Sequence, residues 1–267
     1  MMNSQPGYVT LKERLAEGNT VAFVGAGLSV GAGLPGWYGL IHELAARIQY
    51  ELPPPQWVTS AALIDAAQAY VNQEGLNSLL AFIKRRLDTT GKQPTSVHQA
   101  LTELPISLIF TANYDDLLER AYQDAGIRTQ VVVRDVSIPY MLREKGTVNI
   151  VKLYGDLHQE DTIVLATQQY ESVFLQRPQM IKLLETELAR SDMLYLGWSH
   201  TDPHFNLVFG ELLSRYGNNM RNGYGAMLDV SETQRRELER KHIQVVSFPS
   251  DRDPTFQLAA WLRSLKS

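Results

Sequence analysis

The sequence predicts an α/β protein in which helices cover both faces of a doubly wound parallel sheet, with a helical insertion after the first strand. Short apolar runs rich in β-branched residues, typical of buried parallel strands, alternate with longer stretches in which apolar residues recur at helical spacing. This alternation favours parallel strands joined by helical crossovers. The chain has 267 residues and is 44% hydrophobic, which suffices for the core of one large domain.

Seven strands are expected along the chain. The first is Thr20–Val24, which follows a short amphipathic helix over Tyr8–Glu17 and the break at Gly18. The others are predicted at Ile106–Phe110, Gln130–Val133, Val148–Leu153, Met193–Gly197, Gly225–Val230 and Ile243–Phe248.

The region between the first two strands is too long for a simple crossover. Its pattern is mostly helical from Trp37 to Leu104, and Pro53–Pro55 interrupts the first helix after Tyr50. We therefore expect one Rossmann-like domain over residues 1–267 with a helical insertion at about 39–95. Further helices are predicted at Ala61–Tyr70, Leu76–Leu87, Gln168–Leu175, Pro178–Ala189, Glu232–Lys241 and Leu258–Leu265, and in segments that end at Tyr122 and begin at Pro203.

Composition excludes several classes of function. The net charge of −4 gives no general attraction to nucleic acid or to an anionic membrane. The chain contains no cysteine, so it has no disulfide, no thiolate metal site and no cysteine nucleophile. No signal peptide and no apolar run long enough to span a membrane is evident. We expect a soluble, cytoplasmic protein.

A glycine-rich turn follows the first strand. Gly25, Ala26 and Gly27 precede Ser29, and such glycines let the backbone turn sharply and approach a ligand closely. Amide groups at the start of the next helix suit a pyrophosphate. The alternative is a plain structural turn. A P-loop is excluded because no Gly-Lys-Ser/Thr follows.

Polar side chains also follow the second strand. Asn113 and Asp115 stand where this strand meets the next helix. The carboxamide of Asn113 can orient a sugar hydroxyl or a water molecule. The alternative is that one of the two residues simply caps the helix.

The fourth strand ends in a cluster of groups that can carry protons. Lys152, Tyr154, Asp156 and His158 lie within seven residues. A phenol or an imidazole at this position could handle a proton in catalysis. The alternative is that these residues are merely polar groups on the surface.

The fifth strand leads into Gly197 and Ser199, which could face phosphates, and then into Asp202 and Pro203, which suit the start of a helix. His200 and His204 have the spacing of helical metal ligands. No glutamate lies between them and the first precedes the helix, so we expect no metal site.

Taken together, these segments resemble the motifs of the SIR2 family. Residues 25–37 resemble its opening motif, and residues 111–119 look like the Asn-Tyr-Asp variant of a bacterial SIR2-like branch linked to antiphage defence. Residues 152–155 stand where the family usually has Lys-x-His-Gly. Residues 163–170 and 196–203 match the family in kind and order. The resemblance extends from about Val21 to Phe248.

The resemblance implies a role for each segment. Asn113 would position the nicotinamide ribose and the attacking water, and Asp115 would contact the nicotinamide amide. The pyrophosphate would be held by Gly25, Ala26, Gly27 and Ser29, and the adenosine side by Gly197 and Ser199. On physical grounds, Asp229 at the end of a late strand is expected to accept a hydrogen bond from a ribose hydroxyl and to favour NAD over NADP.

Two departures from the family change the expected chemistry. Protein-deacylating sirtuins carry a four-cysteine zinc module, which this chain lacks, so NAD hydrolysis is favoured over acyl-lysine chemistry. Tyr154 stands in place of the catalytic histidine, and a tyrosine with a pKa near 10 is a poor base at neutral pH. Either His158 takes over, or Asn113 and positioning suffice, or activity is reduced.

The sequence thus predicts an NAD glycohydrolase that releases nicotinamide and ADP-ribose, with NAD as substrate and no metal. Asn113, His158 and Tyr154 are the expected catalytic residues. The resemblance implies an NAD-depleting effector of antiphage defence, activated by a separate sensor protein or by homo- or hetero-oligomeric assembly. Two alternatives remain: a non-catalytic sensor that binds NAD or ADP-ribose, and an ADP-ribosyltransferase.

Overall fold

One parallel sheet of seven strands organises the chain. The computed structural model describes residues 6–55 and 57–266. The strand order is β3-β4-β2-β1-β5-β6-β7, and every neighbouring pair is parallel. The strands are β1 Thr20–Val24, β2 Leu108–Thr111, β3 Arg128–Val132, β4 Thr147–Lys152, β5 Asp192–Leu196, β6 Gly223–Leu228 and β7 Ile243–Phe248. The predicted α/β, doubly wound parallel sheet is confirmed.

Strand β1 lies near the middle of the sheet, between β2 and β5. Ala22 pairs with Ile109 on one side and with Leu194 on the other. All five residues of β1 are buried, as expected for a parallel strand covered on both faces. The chain places β2, β3 and β4 on one side of β1 and then β5, β6 and β7 on the other, so the turns after β1 and β5 meet at the switch point where ligands of such sheets bind.

Helices fill both faces and the segment between β1 and β2. They are α1 Pro6–Ala16, α2 Gly27–Val30, α3 Trp37–Arg47, α4 Ser60–Glu74, α5 Leu76–Arg86, α6 Ser96–Thr102, α7 Leu117–Asp124, α8 Thr167–Gln176, α9 Pro178–Arg190, α10 Pro203–Tyr216, α11 Glu232–Arg240 and α12 Pro254–Ser264. Local signals set several boundaries. Thr59 accepts a hydrogen bond from the amide of Ala62 at the start of α4, and Gly75, at φ 85°, separates α4 from α5.

The two faces of the sheet carry separate hydrophobic cores. Phe23 and Phe110 point into a core that includes buried residues of α3, α4 and α5. Ala22 and Ile109, their chain neighbours, point into the opposite core together with residues of α6 and α12. The alternation of strand side chains explains this division. The helices inserted after β1 therefore pack above the sheet face on which the candidate site opens.

No helix within the described ranges is long and apolar enough to cross a membrane. The longest, α4, has 15 residues.

Candidate functional site

The turns after β1 and β5 are in direct backbone contact. The amide of Gly25 donates to the carbonyl of Leu196 at 2.9 Å, and the amide of Gly27 donates to the carbonyl of Gly197 at 3.0 Å. A Cβ on Gly25 would lie 2.5 Å from the Gly197 oxygen. Gly197 itself has φ 60°, and a side chain there would collide with the backbone nitrogen of Leu28. The glycines are thus required by close packing of two backbones.

This packing changes the part expected of the first turn. The amides of Gly25 and Gly27 are used by the β5 turn, and those of Leu28 and Ser29 donate to the carbonyls of Gly25 and Ala26. The turn therefore does not present a row of free amides to a pyrophosphate. What it contributes to the site is the rigid placement of Ser29.

Ser29 connects the β1 turn to the two polar residues after β2. Its hydroxyl, in a side chain that is 1% exposed, donates to Oδ2 of Asp115 at 3.0 Å and accepts from Nδ2 of Asn113 at 3.2 Å. The Oδ1 atom of Asp115 accepts from the amide of Leu117, the first residue of α7, at 3.1 Å. Oδ1 of Asn113 is buried and has no partner among the described residues. Such an acceptor favours a ligand or a water molecule that can donate to it.

Burial controls the electrostatics of this cluster. It raises the pKa of Asp115, and the hydrogen bonds from Leu117 and Ser29, together with the nearby charge of Lys152, only partly oppose this effect. The Asp115 carboxylate is therefore held in a less favourable environment than water.

The side chain of Lys152 lies beneath the site and connects the loops after β2 and β4. Its fully buried Nζ donates to the carbonyl of Asp115 at 2.7 Å, to Glu119 at 2.8 Å and to Asp156 at 2.6 Å. Burial alone would lower the pKa of Lys152, but the carboxylates of Glu119 and Asp156 outweigh burial and raise it. Lys152 is therefore a charged structural centre beneath the site.

Tyr154 belongs to a second polar cluster. Its hydroxyl lies 3.1 Å from that of Tyr170, whose hydroxyl is also hydrogen-bonded to Oδ2 of Asp202. Oδ1 of Asp202 accepts from the amide of Phe205 at 2.7 Å and caps α10. Burial raises the pKa of Tyr154 well above its usual range. Tyr154 is thus protonated at neutral pH.

One cavity of about 430 Å³ joins these clusters. It is lined by the predicted residues Ala26, Gly27, Ser29, Asn113, Asp115, Tyr154, Gly197 and Ser199, and also by Tyr170 and Asp202. Residues of α3 and α4 close its outer side, among them Trp37, Leu40 and Leu63. A second cavity of about 300 Å³ shares Gly27, Gly197, Trp198 and Ser199 with the first and extends over the ends of β6 and β7.

Three predicted residues lie outside the lining of both cavities. Gly25 lies beneath the β5 turn. The side chain of His158 is 74% exposed and its Nε2 lies 3.7 Å from Asp116. Asp229 is exposed and its carboxylate accepts from the amide of Ser250 at 3.1 Å. His158 and Asp229 each follow the expected strand, but the turn carries the side chain away from the cavity. The structure therefore does not bring His158 to the position expected of a replacement base.

Two residues that the sequence reasoning left without a role in the site are Tyr170 and Asp202. The sequence predicts Asp202 as a helix cap, which it is, but its second oxygen accepts a hydrogen bond from Tyr170. A polar residue after β5 was a sufficient signal for Asp202. Tyr170 carries no such signal, because it lies within α8 and reaches the cavity only through packing.

The histidines of the β5 turn show no metal-binding arrangement. His200 is buried against Tyr195, and burial lowers its pKa to about 3. His204 stacks on Tyr170 with 3.9 Å between ring centroids. Over residues 6–55 and 57–266, no group of three or more His, Cys, Asp or Glu side chains could hold a metal ion.

This chain is similar to known proteins named NAD(+) hydrolase ThsA and to one named Defense-associated sirtuin 2. It is 30% identical over 217 residues to the NAD(+) hydrolase ThsA of Acinetobacter baumannii, a match covering 79% of this chain and 43% of that protein. It is 26% identical over 234 residues to the NAD(+) hydrolase ThsA of Bacillus cereus, covering 85% and 46%. It is 20% identical over 246 residues to the Defense-associated sirtuin 2 of Bacillus subtilis, covering 90% and 24%. The chain thus spans less than half the length of these relatives.

Solved sirtuin structures share the fold. Sir2Tm bound to a propionylated peptide superposes with a TM-score of 0.53 at 15% identity, covering 96% of this chain and 97% of that one. A SIR2 structure with an inhibitor, 2'-O-acetyl-ADP-ribose and a deacetylated p53 peptide gives 0.51 at 13% identity, covering 96% and 98%. The SIR2-like domain family matches residues 107–246, which include strands β2 to β6, the greater part of β7 and the predicted motif segments after β2, β4 and β5. The chain therefore belongs to the SIR2-like domain family.

Proposed function

We propose that this domain is an NAD⁺ glycohydrolase that releases nicotinamide and ADP-ribose. The observation that carries the proposal is the buried cluster of Ser29, Asn113 and Asp115 on the wall of the larger cavity. It offers an unpaired amide oxygen where two strands end, and the relatives of this chain that are named NAD(+) hydrolase match it over most of its length.

The two cavities fit the two ends of a dinucleotide. The nicotinamide riboside lies in the larger cavity, with the nicotinamide amide against Asp115 and the ribose against Asn113. The adenosine side extends past Gly197 and Ser199 into the smaller cavity. The residues common to both cavities are small or flat, which leaves room for the pyrophosphate between them.

The chemistry makes modest demands on the protein. Nicotinamide leaves as a neutral group when the C1′–N bond takes its electron pair, and the ribose passes through an oxocarbenium-like state. Water then forms the new C1′–O bond. Holding that water in place supplies most of the required acceleration, and Asn113 is the residue that would hold it. No metal takes part in this scheme.

The biological role is proposed from the relatives. One of them is named a defense-associated sirtuin, and we propose that this domain depletes NAD in the cytoplasm during antiphage defence. Depletion of NAD is toxic, so activity requires restraint. We propose that a separate sensor protein, or assembly into a homo- or hetero-oligomer, activates the domain.

The test is direct. The purified protein is incubated with NAD⁺ over a range of protein concentrations, with and without the product of the neighbouring gene, and free nicotinamide and ADP-ribose are measured. We expect equal amounts of both products and a specific activity that rises with assembly. Tight NAD binding with no nicotinamide release under any condition would instead identify a sensor, for which the replacement of the family histidine by Tyr154 is the supporting observation. Label transferred from NAD to protein would identify an ADP-ribosyltransferase.

A further inference from the structure

The hydroxyl of Tyr154 is the first of three hydrogen-bonded groups that end on a carboxylate. We propose that Tyr154, Tyr170 and Asp202 form a proton relay, in which Tyr154 takes the proton of the attacking water and Asp202 finally receives the charge-balancing proton. This inference rests on the proposed NAD hydrolysis and assigns the base for it.

The direction of the hydrogen bonds follows from the number of protons. Tyr170 has a single hydroxyl proton and lies beside both Tyr154 and Asp202. A charged carboxylate is the stronger acceptor, so Tyr170 donates to Asp202. The hydroxyl of Tyr170 is also placed to donate to Tyr154, but its single proton is engaged by Asp202. The relay therefore requires the hydroxyl of Tyr154 to turn its own proton toward Tyr170. The oxygen of Tyr154 consequently keeps a lone pair for a donor in the cavity that this residue lines.

Packing holds the three groups in line. The ring of Tyr170 lies between the ring of Tyr154, with centroids 5.3 Å apart and planes 18° apart, and the imidazole of His204, at 3.9 Å and 9°. Asp202 is fixed separately, because its other oxygen caps α10 through the amide of Phe205. Tyr154 cannot turn away from Tyr170 without loss of the ring stacking, and Asp202 cannot do so without loss of the helix cap.

The relay removes the difficulty posed by a tyrosine at this position. An isolated Tyr154 would have to become a phenolate, which burial disfavours. In the relay, each phenol loses one proton and gains another in the same event. No phenolate persists, and Asp202 is the only one of the three relay groups whose charge changes.

The reaction step balances. The C1′–N bond of NAD⁺ breaks and its electron pair neutralises the nicotinamide ring, while an oxygen of water bonds to C1′. The water proton passes to Tyr154, the proton of Tyr154 to Tyr170, and the proton of Tyr170 to the carboxylate of Asp202. The products are nicotinamide, ADP-ribose and a neutral Asp202, which later releases its proton to solvent.

Four single variants and one double variant test this arrangement by nicotinamide release, with KM and kcat measured separately. Tyr154→Phe, Tyr170→Phe and Asp202→Asn each interrupt proton transfer but keep the ring or the helix cap, and each should lower kcat by about 10²-fold, the lower end of general-base effects, with little change in KM. Tyr154→His supplies a group that can accept the proton alone. In the Tyr154→His background, the further change Tyr170→Phe should therefore cost less than about 3-fold, which is small beside the effect of a general base.

Tyr195→Phe is the matched control. Tyr195 is a buried tyrosine that lines neither cavity, so its loss should leave kcat unchanged. In mixtures of H₂O and D₂O, the rate of the parent protein should depend on the fraction of D₂O in a curved manner, because several protons move together. The rate of Tyr154→His should depend on that fraction linearly. Equal kcat for Tyr170→Phe and the parent would overturn the relay alone, as would an equal loss in both backgrounds. A folded parent that releases no nicotinamide in any assembly would overturn the proposed function and the relay together.

Discussion

The hydroxyl of Ser29 donates a 3.0 Å hydrogen bond to Asp115, which lies 86 residues further along the chain. This bond joins the turn after β1 to the turn after β2, and Asn113 completes the cluster by donating to the same hydroxyl at 3.2 Å. The Asp115 carboxylate accepts two hydrogen bonds in this position but loses its hydration. The effect of burial exceeds that of the hydrogen bonds, so the pKa of Asp115 is raised. The site is thus assembled at some expense to the stability of the fold.

Asp115→Asn should therefore stabilise the protein at neutral pH. Because the pKa of Asp115 is higher in the folded than in the unfolded state, the folded state binds more protons between the two values, and stability falls as pH rises through that interval. Asparagine is neutral throughout, and its oxygen can still accept from the amide of Leu117. We expect the melting temperature of the variant to exceed that of the parent by an amount that grows from about pH 4 toward neutrality, while nicotinamide release declines.

Asp88→Asn is the control, because the expected change in stability at neutral pH has the opposite sign. The hydrogen bonds from Thr90 lower the pKa of Asp88, so its stabilising contribution is present above the unfolded pKa and is lost as pH falls. Its removal should lower the melting temperature at neutral pH and have no effect in acid. A melting temperature of Asp115→Asn that stays below the parent at every pH would show that the Asp115 charge stabilises the fold.

Asn113→Ala should abolish most turnover and preserve binding. If the carboxamide positions the ribose and the water, its loss should lower kcat by about 10²-fold or more, with the affinity for NAD largely kept. It is Asp115 rather than Asn113 that binds the first amide of α7, so the stability loss should be limited to about 1 kcal/mol for the bond to Ser29. Steady-state kinetics, calorimetry with NAD and thermal melting distinguish these effects. Parental turnover in the folded variant would contradict the proposed mechanism.

Lys152→Met should destabilise the fold strongly. The substitution leaves the carboxylates of Asp156 and Glu119 without their cationic partner. Loss of one member of a buried ion pair typically lowers the free energy of unfolding by about 3–5 kcal/mol. Urea unfolding measures the change. Lys84→Met is the matched control, because the ion pair of Lys84 with Glu160 has a similar length of 2.7 Å but both side chains are exposed. A similar midpoint shift in both variants would contradict the assigned role of Lys152.

Asp229 should not set the preference of the protein between NAD and NADP. Asp229 lines neither cavity, and its backbone φ of 45° suits asparagine equally well. Calorimetry on Asp229→Asn should therefore give the same ratio of NAD to NADP affinity as the parent. A shift of this ratio toward NADP would place Asp229 at the adenine ribose after all.

Activity should survive removal of divalent metals. The chain has no cysteine, and the imidazole of His204 packs against the rings of Tyr170 and Phe174. Dialysis against a chelator should leave nicotinamide release unchanged, and elemental analysis should find less than one zinc per chain. Loss of activity that zinc restores would overturn this prediction.

The prediction of the strands from sequence succeeded because their patterns are local. β1 and β7 lie at the predicted bounds, and β2 begins at Leu108 rather than Ile106. Polar residues after strands were a sound guide to the cavity for Asn113, Asp115 and Ser199, since parallel strands end at the same edge. The same reasoning placed His158 and Asp229 in the site, where the turns do not bring them.

The sequence by itself determined the class of fold, the family resemblance and the set of strand ends from which a site could be built, because these depend on residue periodicity and on short motifs. Only the tertiary structure decided which side chains meet. Ser29 reaches Asp115 because β1 and β2 are neighbours in the sheet, Tyr170 reaches Tyr154 because α8 packs beside the β4 loop, and His158 turns outward. These contacts depend on the paths of turns and on helix packing between distant segments, which local periodicity does not encode.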